Sequence, residues 1–314
     1  MARITIDGRP IEIDATSTIL DAMERADVRL PHLCHDARVA PAGACRLCLV
    51  ELRGATRPVP ACVTSIADGM EVSTRTPALE TGRREILETL AQRLPTTIGS
   101  SPLLDALDSY RVKASAEPLA ALIDDSHPYI HVDMAKCIDC FLCQRICSEV
   151  QGQDTWNVVE RGGTLRLVPD AGVPLGDSSC VSCGACADAC PSGAIEDRSI
   201  GLLGRPDWYT RTTCAYCGVG CELDVGVRGD RIVQIRPTLE APVNKGHLCV
   251  KGRYAFGYVD APDRVTAPMI RQGDRWHEVS WDVAIAHVAT ELTRIRDTFG
   301  SDALGVLGSA RATN

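Results

Sequence analysis

Alternating hydrophobic and polar residues open the chain and predict a β-hairpin followed by a short helix. Residues 3–6 and 10–13 alternate with a period of two, and Asp7-Gly8 between them is a strong signal for a tight turn. Thr18 and Asp21 have the spacing of a helical capping box. Apolar residues then recur at helical spacing: Ile19, Ala22, Met23 and Ala26.

The next two segments differ sharply in periodicity. Residues 78–94 have a helical apolar stripe that stops at Pro95, which predicts a helix ending there. Residues 95–127 are rich in Ser, Pro, Ala and Asp, and they predict a linker with one short helix around residues 119–122. The apolar stripe of the first segment consists of Ile86, Leu87, Leu90 and Leu94.

Period-two patterns return in the second half of the chain. Residues 158–168, with Gly162-Gly163 in the middle, predict one hairpin, and residues 223–235, with Gly229-Asp230 in the middle, predict another. Residues 281–298 have an apolar helical face. Residues 303–308 predict a buried strand that opens an α/β domain.

Composition narrows the class of protein. The 314 residues include 33 basic and 41 acidic side chains, a net charge of -8, which argues against a nucleic-acid footprint. No apolar run approaches the length of a membrane span, so we expect no direct membrane contact. The sequence shows no export signal, and this together with its many cysteines favours the cytoplasm.

All 16 cysteines fall into four groups of four, which we call the first to fourth quartets. Four thiolates are the number that holds one iron–sulfur cluster, and four clusters on one chain would carry single electrons over a long distance. The quartets are Cys34, Cys45, Cys48 and Cys62; Cys137, Cys140, Cys143 and Cys147; Cys180, Cys183, Cys186 and Cys190; and Cys214, Cys217, Cys221 and Cys249.

Disulfides and zinc are the competing interpretations of so many cysteines. Disulfides persist in oxidising compartments and are concentrated in small secreted domains, which this chain does not resemble. Zinc sites usually take one close cysteine pair from each of two places. The second and third quartets instead read C-x2-C-x2-C-x3-C, and Pro191 completes the bacterial ferredoxin pattern in the third.

The identical spacing of these two quartets is an internal repeat that predicts a two-cluster ferredoxin fold. In that fold the fourth cysteine of each run serves the other cluster. One [4Fe–4S] centre is therefore expected on Cys137, Cys140, Cys143 and Cys190. The other is expected on Cys180, Cys183, Cys186 and Cys147.

The outer quartets carry two family resemblances. Hairpin, helix and a looped C-x2-C at Cys45 and Cys48 resemble the β-grasp [2Fe–2S] ferredoxin, with the wide first gap found in the large Fe–S subunit of respiratory complex I. The strings C-A-Y-C-G-V-G-C at 214–221 and C-V-K-G-R at 249–253 resemble the molybdenum or tungsten bis-pterin oxidoreductases. Within that family the chain looks most like the α subunit of cytoplasmic, NAD-linked formate dehydrogenases.

The resemblance implies cofactors, partners and two further site residues. It implies one [2Fe–2S] and three [4Fe–4S] clusters, with a Mo or W bis-molybdopterin guanine dinucleotide in the full-length subunit. Lys251 would lie between the fourth cluster and a pterin and assist electron transfer, with Arg253 also binding cofactor. The implied partner is a flavin- and NAD-binding diaphorase with Fe–S centres of its own.

Two departures from the family pattern stand out. Many relatives carry an extra cluster held by one His and three Cys, whereas residues 63–136 contain no cysteine. His127 and His131 are then expected to be surface or capping residues. The metal-ligating Cys or selenocysteine is also not among these 314 residues, which favours a fragment or part of a longer subunit.

The sequence therefore predicts a modular α+β chain of five segments. These are a β-grasp [2Fe–2S] domain at 1–76, a helix and linker at 77–127, a double [4Fe–4S] domain at 128–205, a [4Fe–4S] domain of molybdopterin oxidoreductases at 206–262 and the start of a pterin-binding α/β domain at 263–314. The predicted function is electron transfer from formate to a diaphorase and NAD. The alternatives are a non-catalytic relay subunit of a respiratory or hydrogenase-type complex and a relative of nitrate reductases.

Overall fold

The computed structural model describes residues 1–117 and 122–308 of the chain. Its front unit is a five-stranded sheet in the order β2-β1-β5-β3-β4, with β1 and β5 parallel at its centre. One helix packs on this sheet, and its Thr18–Asp21 capping box is formed as predicted. The elements are β1 Ala2–Ile6, β2 Arg9–Ile13, α1 Ile19–Arg25, β3 Leu49–Leu52, β4 Val59–Pro60 and β5 Glu71–Ser73.

The inward residues of these elements form the core of the front unit. Ile4, Ile6, Ile19 and Met23 are almost fully buried there, together with Cys48 and Cys62. Two cysteines of the first quartet therefore belong to the core itself. Their loop is held by the same apolar contacts that stabilise the sheet, each buried aliphatic side chain contributing about 1.5–3 kcal/mol.

Two helices connect the front unit to the next one. The predicted helix at 78–94 is confirmed as α2, Pro77–Ala91, although it ends before Pro95. The segment predicted as a linker contains α3, Pro102–Ser109, which the sequence analysis missed. Ser101 caps it and Pro102 occupies its first turn, a start signal that was present in the sequence. The short helix predicted around 119–122 falls mainly on residues outside those described.

The middle unit is built around a three-stranded sheet in the order β10-β7-β6. The predicted hairpin at 158–168 is confirmed as β8 and β9, paired from Trp156 opposite Pro169. A π-helical turn, Ile146–Gln151, continues α4 directly. The elements are β6 Ile123–Asp124, β7 Ile130–Asp133, α4 Leu142–Arg145, β8 Trp156–Arg161, β9 Thr164–Pro169, α5 Ala185–Ala189, β10 Ile195–Asp197 and α6 Arg198–Leu203.

The last described elements form a third small unit, followed by a short hairpin and a long helix. The predicted hairpin at 223–235 is confirmed as β12 and β13, with β11 added on its outer side. The predicted helix at 281–298 is confirmed as α8, which buries none of its residues within the described chain. The elements are β11 Trp208–Thr213, β12 Glu222–Arg228, β13 Arg231–Pro237, α7 Val250–Tyr254, β14 Met269–Gln272, β15 Arg275–Glu278 and α8 Trp281–Phe299.

The strand predicted at residues 303–308 is wrong for the described part of the chain. Ser301–Ala303 form a 3-10 turn, and residues 304–308 have no regular structure. Val306 and Leu307 are almost fully exposed. An apolar run becomes a strand only where a neighbouring strand satisfies its N–H and C=O groups, and none lies beside these residues in the described chain.

Candidate metal centres

All sixteen cysteines are unbridged. In the first quartet the Cys48 and Cys62 sulfurs lie 3.4 Å apart. The backbone N–H of Cys45 donates to the sulfur of Cys34 at 3.3 Å, and the N–H of Leu33 donates to the sulfur of Cys45 at 3.4 Å. These N–H groups are the kind of donors that tune a sulfur-bound cluster.

The second and third quartets share an unusual backbone conformation. Asp139 and Phe141 in the second run have φ of 53° and 54°, and Ser182 and Gly184 occupy the same positions in the third with 58° and 71°. Left-handed backbone at non-glycine residues costs about 1–3 kcal/mol and persists where a site requires it. Here it turns the N–H of Asp139 and of Ser182 toward a cysteine sulfur two residues earlier, each at 3.4 Å.

The fourth cysteine of each run lies with the other run. Cys190 lines one narrow cavity together with three cysteines of the second quartet: Cys137, Cys140 and Cys143. Cys147 lies in one buried cluster with Cys180 and Cys186 of the third quartet. The fold thus places Cys190 beside the second run, and the crossed ligand sets as a whole stay a prediction.

Burial makes these thiols costly to ionise on their own. It raises the pKa of Cys137 and of Cys140 to about 12, and it raises the pKa of the buried Cys143 and Cys186 well above the ordinary thiol value. Four adjacent thiolates therefore need compensating positive charge, which the iron of a cluster would supply. Within the described ranges, no three His, Cys, Asp or Glu side chains converge closely enough to hold a single metal ion.

The fourth quartet differs because it faces outward. Cys217 and Cys249 are exposed, and Cys214 and Cys221 are half-buried. Cys214 donates its backbone N–H to the carbonyl of Cys221 at 2.8 Å, which closes the loop. Lys251 is exposed on α7, two residues after Cys249.

Arg253, the other residue singled out in the same motif, is almost fully buried, with 1% of its surface exposed. Its guanidinium pairs with Asp188 and lies 3.6 Å from Asp197, both in the middle unit. Burial opposes the charge of Arg253, but the two carboxylates outweigh it and raise its pKa. The structure assigns Arg253 to this inter-unit contact, and its binding to a cofactor stays an untested prediction.

The first and second quartets lie close together. Cys45 of the first and Cys140 of the second pack against the same apolar cluster. Arg145, between two cysteines of the second run, donates to the carbonyl of Cys34 at 2.7 Å. The sequence patterns did not point to Arg145, Asp188 or Asp197 as site residues. For Arg145 and Asp188 the available signal was a charged residue inside a ferredoxin cysteine run.

His127 and His131 have ordinary structural roles. His127 is buried, and its Nδ1 accepts the backbone N–H groups of Tyr129 and Ile130, both at 3.1 Å. Its predicted capping role is therefore confirmed, but it does not lie at the surface. His131 pairs with the carboxylate of Asp125 at 2.7 Å.

The neutral His127 makes the chain sensitive to acid. Burial lowers the pKa of His127, whereas the unfolded histidine titrates near its ordinary value of about 6.5. The unfolded chain then binds a proton first, so the free energy of unfolding falls as pH drops below about 6.5. We expect the thermal midpoint to decrease between pH 7.5 and pH 5.5, and His127→Asn to reduce that decrease. The exposed His277 serves as control, because His277→Asn should leave the pH dependence unchanged.

Four protein families match successive parts of the chain. Residues 1–77 match the 2Fe-2S iron-sulfur cluster binding domain, and residues 136–194 match the 4Fe-4S dicluster domain. Residues 208–261 match the molybdopterin oxidoreductase Fe4S4 domain, and residues 264–314 match the molybdopterin oxidoreductase family. No helix among the described residues is both long and apolar enough to pass through a membrane.

Several named relatives align with most of the chain. The α subunit of the NADPH-Fe(3+) oxidoreductase of Geobacter sulfurreducens is 32% identical over all of this chain and 38% of its own length. A subunit of an NADH-quinone oxidoreductase of Rhizobium meliloti is 35% identical over 90% of this chain and 34% of its own. A Staphylococcus haemolyticus protein named "Putative formate dehydrogenase" is 25% identical, over 99% and 36%. The chain therefore spans less than two fifths of the length of these relatives.

A solved structure shares the fold of the larger part of the chain. A chain in the crystal structure of NAD+-reducing [NiFe]-hydrogenase in the H2-reduced state superposes with a TM-score of 0.56 and 29% identity, covering 63% of this chain and 87% of that one. Together the matches show a modular α+β protein. It contains a [2Fe–2S] domain, a 4Fe–4S dicluster domain, and the Fe4S4 domain and start of a molybdopterin oxidoreductase.

Proposed function

We propose that this chain is the electron-relay part of a formate dehydrogenase catalytic subunit that passes electrons to a flavoprotein diaphorase and NAD. The observation that carries the proposal is that each quartet is joined to the next one along the chain. Arg145 in the second run donates to the carbonyl of Cys34, Cys190 of the third run lines one cavity with the second, and Arg253 joins the third to the fourth. A row of single-electron centres is what a two-electron oxidation needs when its acceptor lies far away.

In this proposal each quartet holds one cluster. The first quartet holds a [2Fe–2S] centre and the fourth a [4Fe–4S] centre. The two middle centres are [4Fe–4S] clusters on the crossed cysteine sets, with Cys190 serving the second quartet and Cys147 the third. The left-handed loops and the raised pKa of the buried thiols support this assignment, because both suit thiolates held around a cationic core.

Electrons enter at the fourth quartet and leave at the first. Cys217 and Cys249 are exposed, so the fourth quartet is accessible to a domain that carries the substrate site. The first quartet is the exit toward a diaphorase that has a flavin and Fe–S centres. Such a partner and an NAD acceptor suit a cytoplasmic enzyme.

The overall reaction converts formate into carbon dioxide, one proton and two electrons. In the full-length subunit a bis-pterin molybdenum or tungsten site would supply the two-electron chemistry. Lys251 is exposed next to Cys249 and places a positive charge where that site would adjoin the fourth quartet. The side chains of this chain keep the clusters at fixed spacing and supply hydrogen bonds to their sulfurs.

Two comparisons support the proposal. Residues 208–314 match molybdopterin oxidoreductase families almost without a gap, and a relative named "Putative formate dehydrogenase" aligns over 99% of the chain. A relay in a hydrogenase-type or complex I-type assembly is the second candidate. The 29% identity to a hydrogenase chain and the 35% identity to the NADH-quinone oxidoreductase relative favour it.

Assays of the full-length, metal-loaded subunit separate these functions. We expect formate to reduce an electron-accepting dye, and to reduce NAD once the diaphorase is added, while nitrate with reduced dye gives no turnover. Lys251→Met should slow dye reduction without changing iron content, and the exposed Lys245 provides the matched control Lys245→Met. Absence of formate oxidation by fully loaded protein would exclude the proposal and leave the relay function.

A further inference from the structure

Arg253 joins two units of the chain at a point next to two candidate clusters. Its Nε donates to the backbone carbonyl of Cys183 at 2.9 Å, and one terminal N–H donates to Asp188 at 2.9 Å. The other terminal nitrogen also pairs with Asp188. A two-pronged contact of this kind fixes both distance and orientation, because guanidinium and carboxylate are planar.

Neighbouring side chains complete the contact from both units. Asp197 accepts hydrogen bonds from the Tyr254 hydroxyl at 2.6 Å and from the Gln234 amide at 3.0 Å. Tyr254 also stacks on Tyr129, with ring centroids 4.7 Å apart and planes within 6° of parallel. The junction is therefore a buried polar network in which each charged group has a partner.

Gly184 shows that the close approach is specific to the third quartet. It has φ of 71°, and a Cβ there would overlap the side chain of Arg253 and the hydroxyl of Tyr254. The equivalent position of the second run is Phe141, which has φ of 54° and carries a full side chain. The conformation alone therefore does not demand glycine, whereas the packing of α7 against the third quartet does.

The contact also completes a bonded path between ligands of two quartets. The backbone N–H of Arg253 donates to the carbonyl of Cys249 at 3.1 Å, within α7. Its Nε then donates to the carbonyl of Cys183. Covalent bonds and two hydrogen bonds thus connect Cys249 of the fourth quartet to Cys183 of the third through one side chain.

We propose that Arg253 is the positioning residue that docks the fourth quartet on the third and couples them for electron transfer. The proposal rests on the electron route of the proposed function and adds the residue on which one step depends. In that step one electron leaves the centre on the fourth quartet and reduces the centre on the third by one electron. No proton moves and no covalent bond forms or breaks.

Arg38 provides a matched control. It is also partly buried and also joins two units, because it donates to the carbonyl of Gly246 at 2.6 Å. It makes no hydrogen bond to a cysteine carbonyl in the described chain. Arg38→Lys therefore tests the loss of an inter-unit arginine contact without touching the path through Arg253.

The experiment uses the iron-loaded chain and needs no substrate. Hydrogen exchange of the α7 amides reports docking, and electron exchange between the third and fourth quartets after a photoreducing pulse, followed by EPR, reports coupling. Arg253→Lys keeps the charge but loses the planar guanidinium, whose nitrogens contact Asp188 and the Cys183 carbonyl at the same time. We expect its α7 amides to exchange about ten- to a hundredfold faster. This factor corresponds to the free energy of one charge-assisted hydrogen bond.

Electron exchange between the third and fourth quartets should slow in Arg253→Lys and also in Gly184→Ala, which displaces Arg253 from the other side. It should be unchanged in Arg38→Lys. Exchange at the unsubstituted rate in Arg253→Lys would overturn the proposal, as would loss of iron from the third quartet in that variant, because Arg253 would then support the loop instead. Iron content and EPR of the unsubstituted chain test the electron route separately, so the two failures can be told apart.

Discussion

Cys190→Ala is expected to remove the cluster of the second quartet, although Cys190 belongs to the third cysteine run. The reason is geometric, since Cys190 lines the same cavity as Cys137, Cys140 and Cys143. A [4Fe–4S] centre that loses one thiolate ligand is lost or degraded, so the iron content should fall from about 14 to about 10 per chain. Iron analysis and EPR of the reconstituted chain measure this directly.

The identity of the missing centre follows from its neighbour. Arg145 in the second run donates to the carbonyl of Cys34, and Cys45 and Cys140 pack against one apolar cluster, so the spin–spin interaction between the [2Fe–2S] centre and the adjacent [4Fe–4S] centre should disappear in Cys190→Ala. Cys147→Ala is the matched control, because it should remove the other middle centre and retain that interaction. The opposite pattern would show that each run keeps its own fourth cysteine and would contradict the crossed assignment.

Arg83→Leu is expected to lower the free energy of unfolding of the front unit by about 3–5 kcal/mol, because it leaves several buried carbonyl groups without a hydrogen-bond donor. Arg83 is 2% exposed and donates to the carbonyls of Leu47, Leu49 and Thr74 at 3.0, 2.7 and 2.9 Å. Two of these carbonyls flank Cys48, a predicted cluster ligand. Denaturant unfolding followed by circular dichroism and by the visible absorbance of the [2Fe–2S] centre measures the effect.

Arg84 offers a control on the same helix. It is exposed and donates only to the carbonyl of Tyr110, at 2.6 Å. Arg84→Leu should therefore change the free energy of unfolding by less than about 1 kcal/mol. Equal losses in the two variants would mean that the buried hydrogen bonds of Arg83 contribute no more than a surface contact.

Local patterns predicted the regular elements well. The capping box of Thr18 and Asp21, the helices at 77–91 and 281–299, and the hairpins at 156–169 and 222–237 depend on residues close in sequence. The eight-residue helix α3 was missed because its apolar pattern is short, although Ser101 and Pro102 marked its start. The strand predicted at 303–308 failed because strands depend on partners that the local sequence does not reveal.

The candidate sites also depend partly on local sequence and partly on tertiary packing. The spacing of the cysteines assigned every one to a quartet, because cluster ligation is largely a property of short loops. The approach of Cys190 to Cys137 and the contact of Arg145 with the Cys34 carbonyl arise only when distant segments pack together. The position of Arg253 is the clearest example, because its partners lie far away in the sequence.

The sequence by itself determined the chemistry of this protein. Sixteen thiols in four spaced groups, on a chain without strong net positive charge, indicate iron–sulfur centres, since each group lies within loops whose geometry is local. The tertiary structure decided how those centres connect. Asp188 and Asp197 lie 65 and 56 positions before Arg253, and only folding brings the three together. Arg253, which its sequence motif associates with a cofactor, instead links two units of the chain. Its charge is removed from water there, and it therefore needs the two carboxylates as partners.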